Sequence, residues 1–228
     1  MKMNTLRVVY MGQTAYQAAL DIQTALHARV MNGETDDTLL LLEHPPVITM
    51  GQSAVHENVY LSEEQRRILG VDVFQTDRGG DVTYHGPGQI VGYPIFNLTR
   101  HGKDVHAFMC NVQEVFLRLL SRDFGFAPHR EDGKYTGIWI GNQKITAFGI
   151  HVRRWTTTHG FAFNVNTDLS HFRWINPCGL SDRGVTSLKE LTGETQDIPH
   201  LNRRIAQLFC EVFCMEESEC TLQSLLGS

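Results

Sequence analysis

Residues 78–94, RGGDVTYHGPGQIVGYP, hold five glycines and two prolines in seventeen positions, with an arginine, a histidine and two tyrosines among them. Such a stretch can be a flexible loop, a phosphate cradle or a wall that must approach something closely. The cradle fails on its own terms. A Walker loop needs GxxxxGK followed by Ser or Thr. Gly86, Gly88 and Gly92 read GxGxxxG, with Pro87 inside, and run into a strand-like segment where a dinucleotide fingerprint opens a helix. Two readings remain. One is a tight turn, with glycine supplying positive φ and Pro87 fixing its own. The other is a backbone that comes close to a ligand because no Cβ stands in the way. Thr83, Tyr84 and His85, clustered between the glycine groups, are what a turn alone does not explain.

The other reactive side chains are scattered. The five cysteines (110, 178, 210, 214, 220) form no disulfide framework, and there is no CxxC pair or HExxH to hold zinc. Cys110, Cys210 and Cys214 sit among apolar residues in helical patterns and read as small buried hydrophobes. Cys178 differs: Pro177 and Gly179 flank it, a setting that suits a sharp, exposed turn. Lys144, just after a turn at the head of an apolar strand, reads by position alone as an ordinary solvated lysine. A net charge of −5 excludes general nucleic-acid binding, although HVRRW (Arg153, Arg154), with Arg173, is a local basic patch.

These residues must be positioned by an alternating set of elements. Residues 13–31 carry apolar side chains at helical spacing. TLLLLEH (38–44) is a buried-strand run closed by Pro45 and Pro46. A short helix from Ser62 leads to the strand VDVFQT, and QIVGYPIFNL follows the glycine-rich stretch. Val105, Phe108, Val112, Val115, Phe116 and Leu119 mark a strong helix. TGIWIG, QKITAFGIHV and HGFAFNVN are strands, the first two joined by a two-residue turn at Gly141–Asn142. Helices close the chain near 187–192 and 198–215. The pattern predicts an α+β fold with a mixed, largely antiparallel sheet flanked by helices. It also predicts a single domain over 1–228, with about 195–228 as a C-terminal helical section. No apolar run approaches the roughly 20 residues of a membrane helix and no cleavage site is apparent, so the expected location is cytoplasmic, with no membrane partner.

RGGDVTYHGPGQIVGYPI resembles the signature of the lipoyl(octanoyl) transferases. KITAFGIHV, HGFAFNV, and NPCGL followed by GVTSL match that family in the expected order, so the resemblance spans roughly 35–195. It implies a catalytic domain of the biotin/lipoate protein ligase type. The implied reaction moves an octanoyl (or lipoyl) group from acyl carrier protein to a lysine of a lipoyl domain. The implied partners are octanoyl-acyl carrier protein, the lipoyl domains of 2-oxoacid dehydrogenase E2 subunits, and the glycine cleavage H protein. A thioester is already activated, so neither ATP nor a metal is expected as cofactor. By resemblance Cys178 is the acyl-thioester nucleophile, and Lys144 lowers its pKa and exchanges protons.

Arg78, Gly79, Gly80, Asp81, Val82, Thr83, Tyr84 and His85 are expected to form one wall of the acyl slot, with His85 as a hydrogen-bonding member. Ala147, Phe148, Gly149, Gly160, Phe161 and Ala162 are expected to line the other. Arg153 and Arg154 become a candidate docking patch for acidic carrier domains, or simply a solvated face. His151 stands where the family more often has Arg, and the residue before His159 lacks the usual aromatic. Rival readings are an ATP-dependent lipoate–protein ligase, a non-catalytic acyl-carrier or lipoyl-domain binding module, and a cysteine hydrolase.

Overall fold

The apolar run at 38–42 sets the middle of the molecule. In the computed structural model, which describes residues 4–176 and 183–227, it lies in β2 (Asp37–Glu43). Successive side chains of a strand point to opposite faces. Leu39 and Leu41 therefore join one apolar cluster, and Leu40 and Leu42 another. A strand buried on both faces needs cover on both. On one face that cover is α3 (Val105–Arg118) and α5 (Ile198–Phe213), with Phe108, Val112, Phe116, Ile205 and Phe209 in the core. On the other it is α1 (Tyr16–Met31) and α6 (Leu222–Leu226). Asp104 and Asp197 cap α3 and α5 by accepting from Ala107 N–H and His200 N–H, satisfying donors that the helices leave open.

Around β2 the main sheet runs in a fixed order. Parallel β1 (Asn4–Gln13) and then β12 (Met215–Glu219) lie on one side. Antiparallel β6 (Gln89–Ile95), β10 (Thr156–Asn164), β9 (Gln143–Arg153), β8 (Gly137–Ile140) and β7 (Pro128–Glu131) lie on the other. The two-residue β11 (Gly184–Val185) pairs parallel to β9. The expected mixed, largely antiparallel sheet is present, and the turn at Gly141–Asn142 joins β8 to β9.

Two expectations are corrected. VDVFQT is a strand, β4 (Asp72–Gln75), but it belongs to a separate three-stranded sheet with β3 (Val47–Met50) and β5 (Val82–His85), which has its own small core. The C-terminal section is not helical throughout. MEESE forms β12 and completes the main sheet, where Arg7 donates to Ser218 Oγ at 2.9 Å. Among the described residues no helix is long and apolar enough to cross a membrane.

Candidate active site

Three strands of the main sheet build a floor. Residues opposite one another in an antiparallel pair share a face. Gln89 pairs with Asn164, Val91 with Ala162 and Ala162 with Ala147, while Gly160 pairs with Gly149. Tyr93, two residues beyond Val91, shares its face. The floor therefore has a polar row, an alanine row and a glycine row, and all these residues line one cavity of about 1360 Å³.

Lys144 reaches this floor through a bulge. Ile138 pairs with Thr146, but the next residue, Trp139, pairs with Lys144, leaving Ile145 as the extra residue. Ile145 turns into the core beside Phe148, three positions away, so the strand's alternation reverses there. Without the bulge Lys144 would share the core face of Phe148; with it, Lys144 and Ala147 both line the cavity. Its stem crosses Gly137, where a Cβ would stand 3.0 Å from Lys144 Cε. Its Nζ lies 5.0 Å from the centre of the Trp139 ring.

The Arg183 guanidinium sits 4.9 Å from the same ring and is paired with Glu131. Val185 then pairs with Lys144, and Thr186 N–H donates to the Lys144 carbonyl at 2.9 Å. Cys178 lies outside the described residues. Asn176 and Arg183, the described residues on either side of it, both line the cavity.

The glycine-rich segment covers the floor. β8 stops opposite Ala147, and beyond that point the open edge of β9 receives Gly79, whose N–H donates to the Ile150 carbonyl at 3.0 Å. Space at this crossing is the reason for glycine: a Cβ on Gly149 would lie 2.8 Å from the Gly79 carbonyl oxygen, and one on Gly51 would lie 2.3 Å from that of Gly80. Arg78 donates to the Thr49 carbonyl at 2.6 Å, tying this roof to β3. Asp81 accepts from Asn58 and from Val82 N–H.

Arg78, Gly79, Gly80, Asp81, Val82, Thr83 and His85 all line the cavity. Tyr84 does not, which corrects its expected place in the wall. Its ring turns into the small sheet's core against Phe172 and Trp174, and its hydroxyl lies 2.8 Å from His171 Nδ1. The reason is strand alternation: Thr83 and His85 point one way and Tyr84 the other. From the floor side, Ala147, Phe148, Gly149, Gly160, Phe161 and Ala162 all line the cavity.

His85 is held by Gln89 Oε1 at 2.8 Å and Thr49 Oγ1 at 3.3 Å. Burial, with the neighbouring His44, pushes it down to about 3, so it is neutral near pH 7. Tyr16 and Tyr93 pack on the buried His44 at the far end of the glycine row. His44 donates to the Thr14 carbonyl at 2.6 Å, which leaves its Nε2 to accept from the Tyr93 hydroxyl at 2.7 Å.

The sequence reading missed Tyr16, Asp77, Gln89, Tyr93, Trp139, His159, Asn164 and Arg183. The period-two pattern of QIVGY did carry a signal for Gln89 and Tyr93. Trp139 and Arg183, brought together only by tertiary packing, had none.

Arg153 and Arg154 lie at the exposed tip of the β9–β10 hairpin and do not line the cavity, whereas Arg173 does. His151 lies 3.6 Å from Asp77. Cys110, Cys210, Cys214 and Cys220 lie outside the cavity lining, and burial pushes the Cys210 thiol up to about 11. Among the described residues no cluster of His, Cys, Asp or Glu is arranged to hold a metal ion.

Comparison with known proteins agrees with this geometry. The model of the lipoyl protein ligase A/B catalytic domain matches residues 15–210. An octanoyltransferase of Caldicellulosiruptor saccharolyticus is 51% identical over 208 residues, covering 91% of this chain and 88% of that protein. One from Desulforamulus reducens is 46% identical over 211 residues, covering 92% of each. In fold, the chain is similar to a lipoate-protein ligase A bound with ATP, with a TM-score of 0.75 at 16% identity, covering 99% of this chain and 93% of that one. The biotin protein ligase of Aquifex aeolicus is more distant, with a TM-score of 0.50 at 11% identity over 94% of this chain and 70% of that one.

Proposed function

Because the chain belongs to the lipoyl protein ligase A/B catalytic-domain family, we propose that it is an octanoyltransferase, an acyltransferase that carries an octanoyl (or lipoyl) group from an acyl carrier protein thioester to a lysine of a lipoyl domain. The acceptors are the lipoyl domains of 2-oxoacid dehydrogenase E2 subunits and the glycine cleavage H protein. The reaction occurs in the cytoplasm, within a single catalytic domain.

Cys178 is the nucleophile in this reading. The observation that carries it is the convergence of Lys144, Asn176 and Arg183 on one cavity, with the other four thiols outside its lining. The Cys178 thiolate attacks the thioester carbonyl, a C–S bond forms, and the carbonyl oxygen becomes an anion. Backbone groups of alternate residues in a strand face the same edge. The Phe148 N–H therefore faces the opening beside Ile150 and is the proposed donor to that anion. As the anion collapses, the carrier's sulfur leaves and takes a proton from the Lys144 ammonium. The acceptor lysine's neutral amine then attacks the acyl-enzyme, its proton passes to Lys144, and the Cys178 thiolate departs as the amide forms. The ammonium beside the sulfur favours the thiolate in the resting enzyme.

The alanine row, with Val91 paired to Ala162, supplies an apolar bed for the chain, whose small side chains leave it room. The thioester itself supplies the activation, so the reaction consumes no nucleotide and needs no metal.

Intact-mass spectrometry after mixing with octanoyl-loaded carrier protein tests this. The expected result is a gain of one octanoyl group on Cys178, discharged when a lipoyl domain is added. Cys178→Ser should abolish both steps. A variant that still modified lipoyl domains from octanoate and ATP would make the protein a ligase, and an adduct released only to water would make it a hydrolase.

A further inference from the structure

His159 joins the three surfaces that close the acyl groove. It belongs to the floor, in β10 beside Gly160, and is 2% exposed. Its Nε2 donates to Asp77 at 2.6 Å, and Asp77 immediately precedes the roof residues Arg78, Gly79 and Gly80. Its backbone N–H donates to Gln23 Oε1 at 2.8 Å, on the buried face of α1. The first residue of α1 is Tyr16, which with Tyr93 stands at the end of the glycine row.

Its backbone is unusual as well. His159 has φ +57° within a strand, a left-handed conformation that side chains other than glycine rarely adopt. Such a conformation persists only where its surroundings over-determine it. Here the bonds to Gln23 and Asp77 hold it, and His151 approaches Asp77 at 3.6 Å from the neighbouring strand.

Building on the acyl-transfer reading above, we infer that His159 is a positioning residue that, through Asp77 and Gln23, fixes the height and length of the groove's closed end and thereby selects the acyl chain it accepts. The chain lies over the alanine row with its methyl end under the roof. Two links set the cross-section there: Gly79 on Ile150, and Asp77 on His159. The first is backbone and holds whatever the side chains do. The second is the Asp77 carboxylate on the His159 imidazole, with His151 at 3.6 Å, and its loss frees the Asp77 end of the roof, beyond the Gly79 anchor, to lift from β10 and admit a longer chain.

The test is competition among octanoyl-, decanoyl- and dodecanoyl-loaded carrier protein, read as the distribution of adduct masses on Cys178. The wild-type protein should load chiefly octanoyl. Asp77→Ala and His159→Leu should each raise the share of the longer chains relative to octanoyl by roughly tenfold, the scale at which an apolar pocket discriminates a methylene. His159→Gln, which keeps a donor for Asp77, should restore most of the octanoyl preference. Asp77 is largely exposed, so Asp77→Ala carries the test even if His159→Leu does not fold. Variants that load acyl groups with the wild-type distribution, at whatever rate, overturn this inference and leave the transferase reading standing. A wild-type protein that takes up no acyl group overturns both.

Discussion

Gly149 and Gly79 meet where a methyl group has no place. With the Gly79 carbonyl 2.8 Å from any Cβ at 149, and Arg78 Cδ at 3.2 Å behind it, Gly149→Ala can be accommodated only by lifting the roof off β9. Overpacking of this kind costs about 1–3 kcal/mol. Chemical denaturation of Gly149→Ala should show that loss, together with slower acyl loading. An unchanged loading rate would mean that the roof does not touch the chain. Lys144 makes a sharper claim. If its ammonium stabilises the Cys178 thiolate, Lys144→Met should raise the pH midpoint of alkylation at Cys178 by roughly one unit or more. The same variant should slow acyl transfer on the order of a hundredfold. Alkylation profiles that superimpose would remove the ion pair from the mechanism.

Among the elements, the long β9–β10 hairpin both presents the floor and explains why the sequence was only partly readable. Its strands, its partner β8 and the Gly141–Asn142 turn follow from alternation and turn chemistry, which are local signals. The bulge at Ile145 does not. QKITAF reads as a regular strand, and only the register against β8 reverses its faces, so Lys144 looked like a strand-end lysine. Tyr84 was misassigned for a related reason, since a glycine-rich stretch gives no hint that residues 82–85 pair with β3 in a second sheet. At its other end the hairpin turns through Arg154 and Trp155, with φ of 51° and 65°. Both angles belong to turns that favour Asn and Gly. Arg154→Asn should therefore stabilise the protein by about 0.5 kcal/mol, visible as a higher Tm. A Kd for carrier protein unaffected by the same change would make the exposed tip a solvated face.

For the molecule as a whole, buried neutral histidines govern the response to acid. His44 is pushed down to about 4 and His85 to about 3, in both cases chiefly by burial. In the unfolded chain both titrate near pH 6.5. The unfolded state therefore binds more protons once the pH falls below that value, and stability present at neutral pH is lost on the way down toward pH 4. Between pH 7 and pH 5 the loss should be on the order of 2 kcal/mol per histidine, readable as a falling urea midpoint. His85→Gln should flatten the slope. The His44 half of this network was illegible in the sequence, because Thr14 and His44 meet the 85–93 stretch only in the finished fold.

The outermost pair of strands has a kinetic consequence. Arg7 on β1 and Ser218 on β12 touch across 211 positions of chain, so β1 waits for a segment made much later before its outer edge is paired. Until β12 docks, that row of open amides and carbonyls stays unpaired, and such edges invite pairing with other chains. Docking of β12, whose charged MEESE side chains blunt the new outer edge, is then the step that shields β1 from intermolecular association.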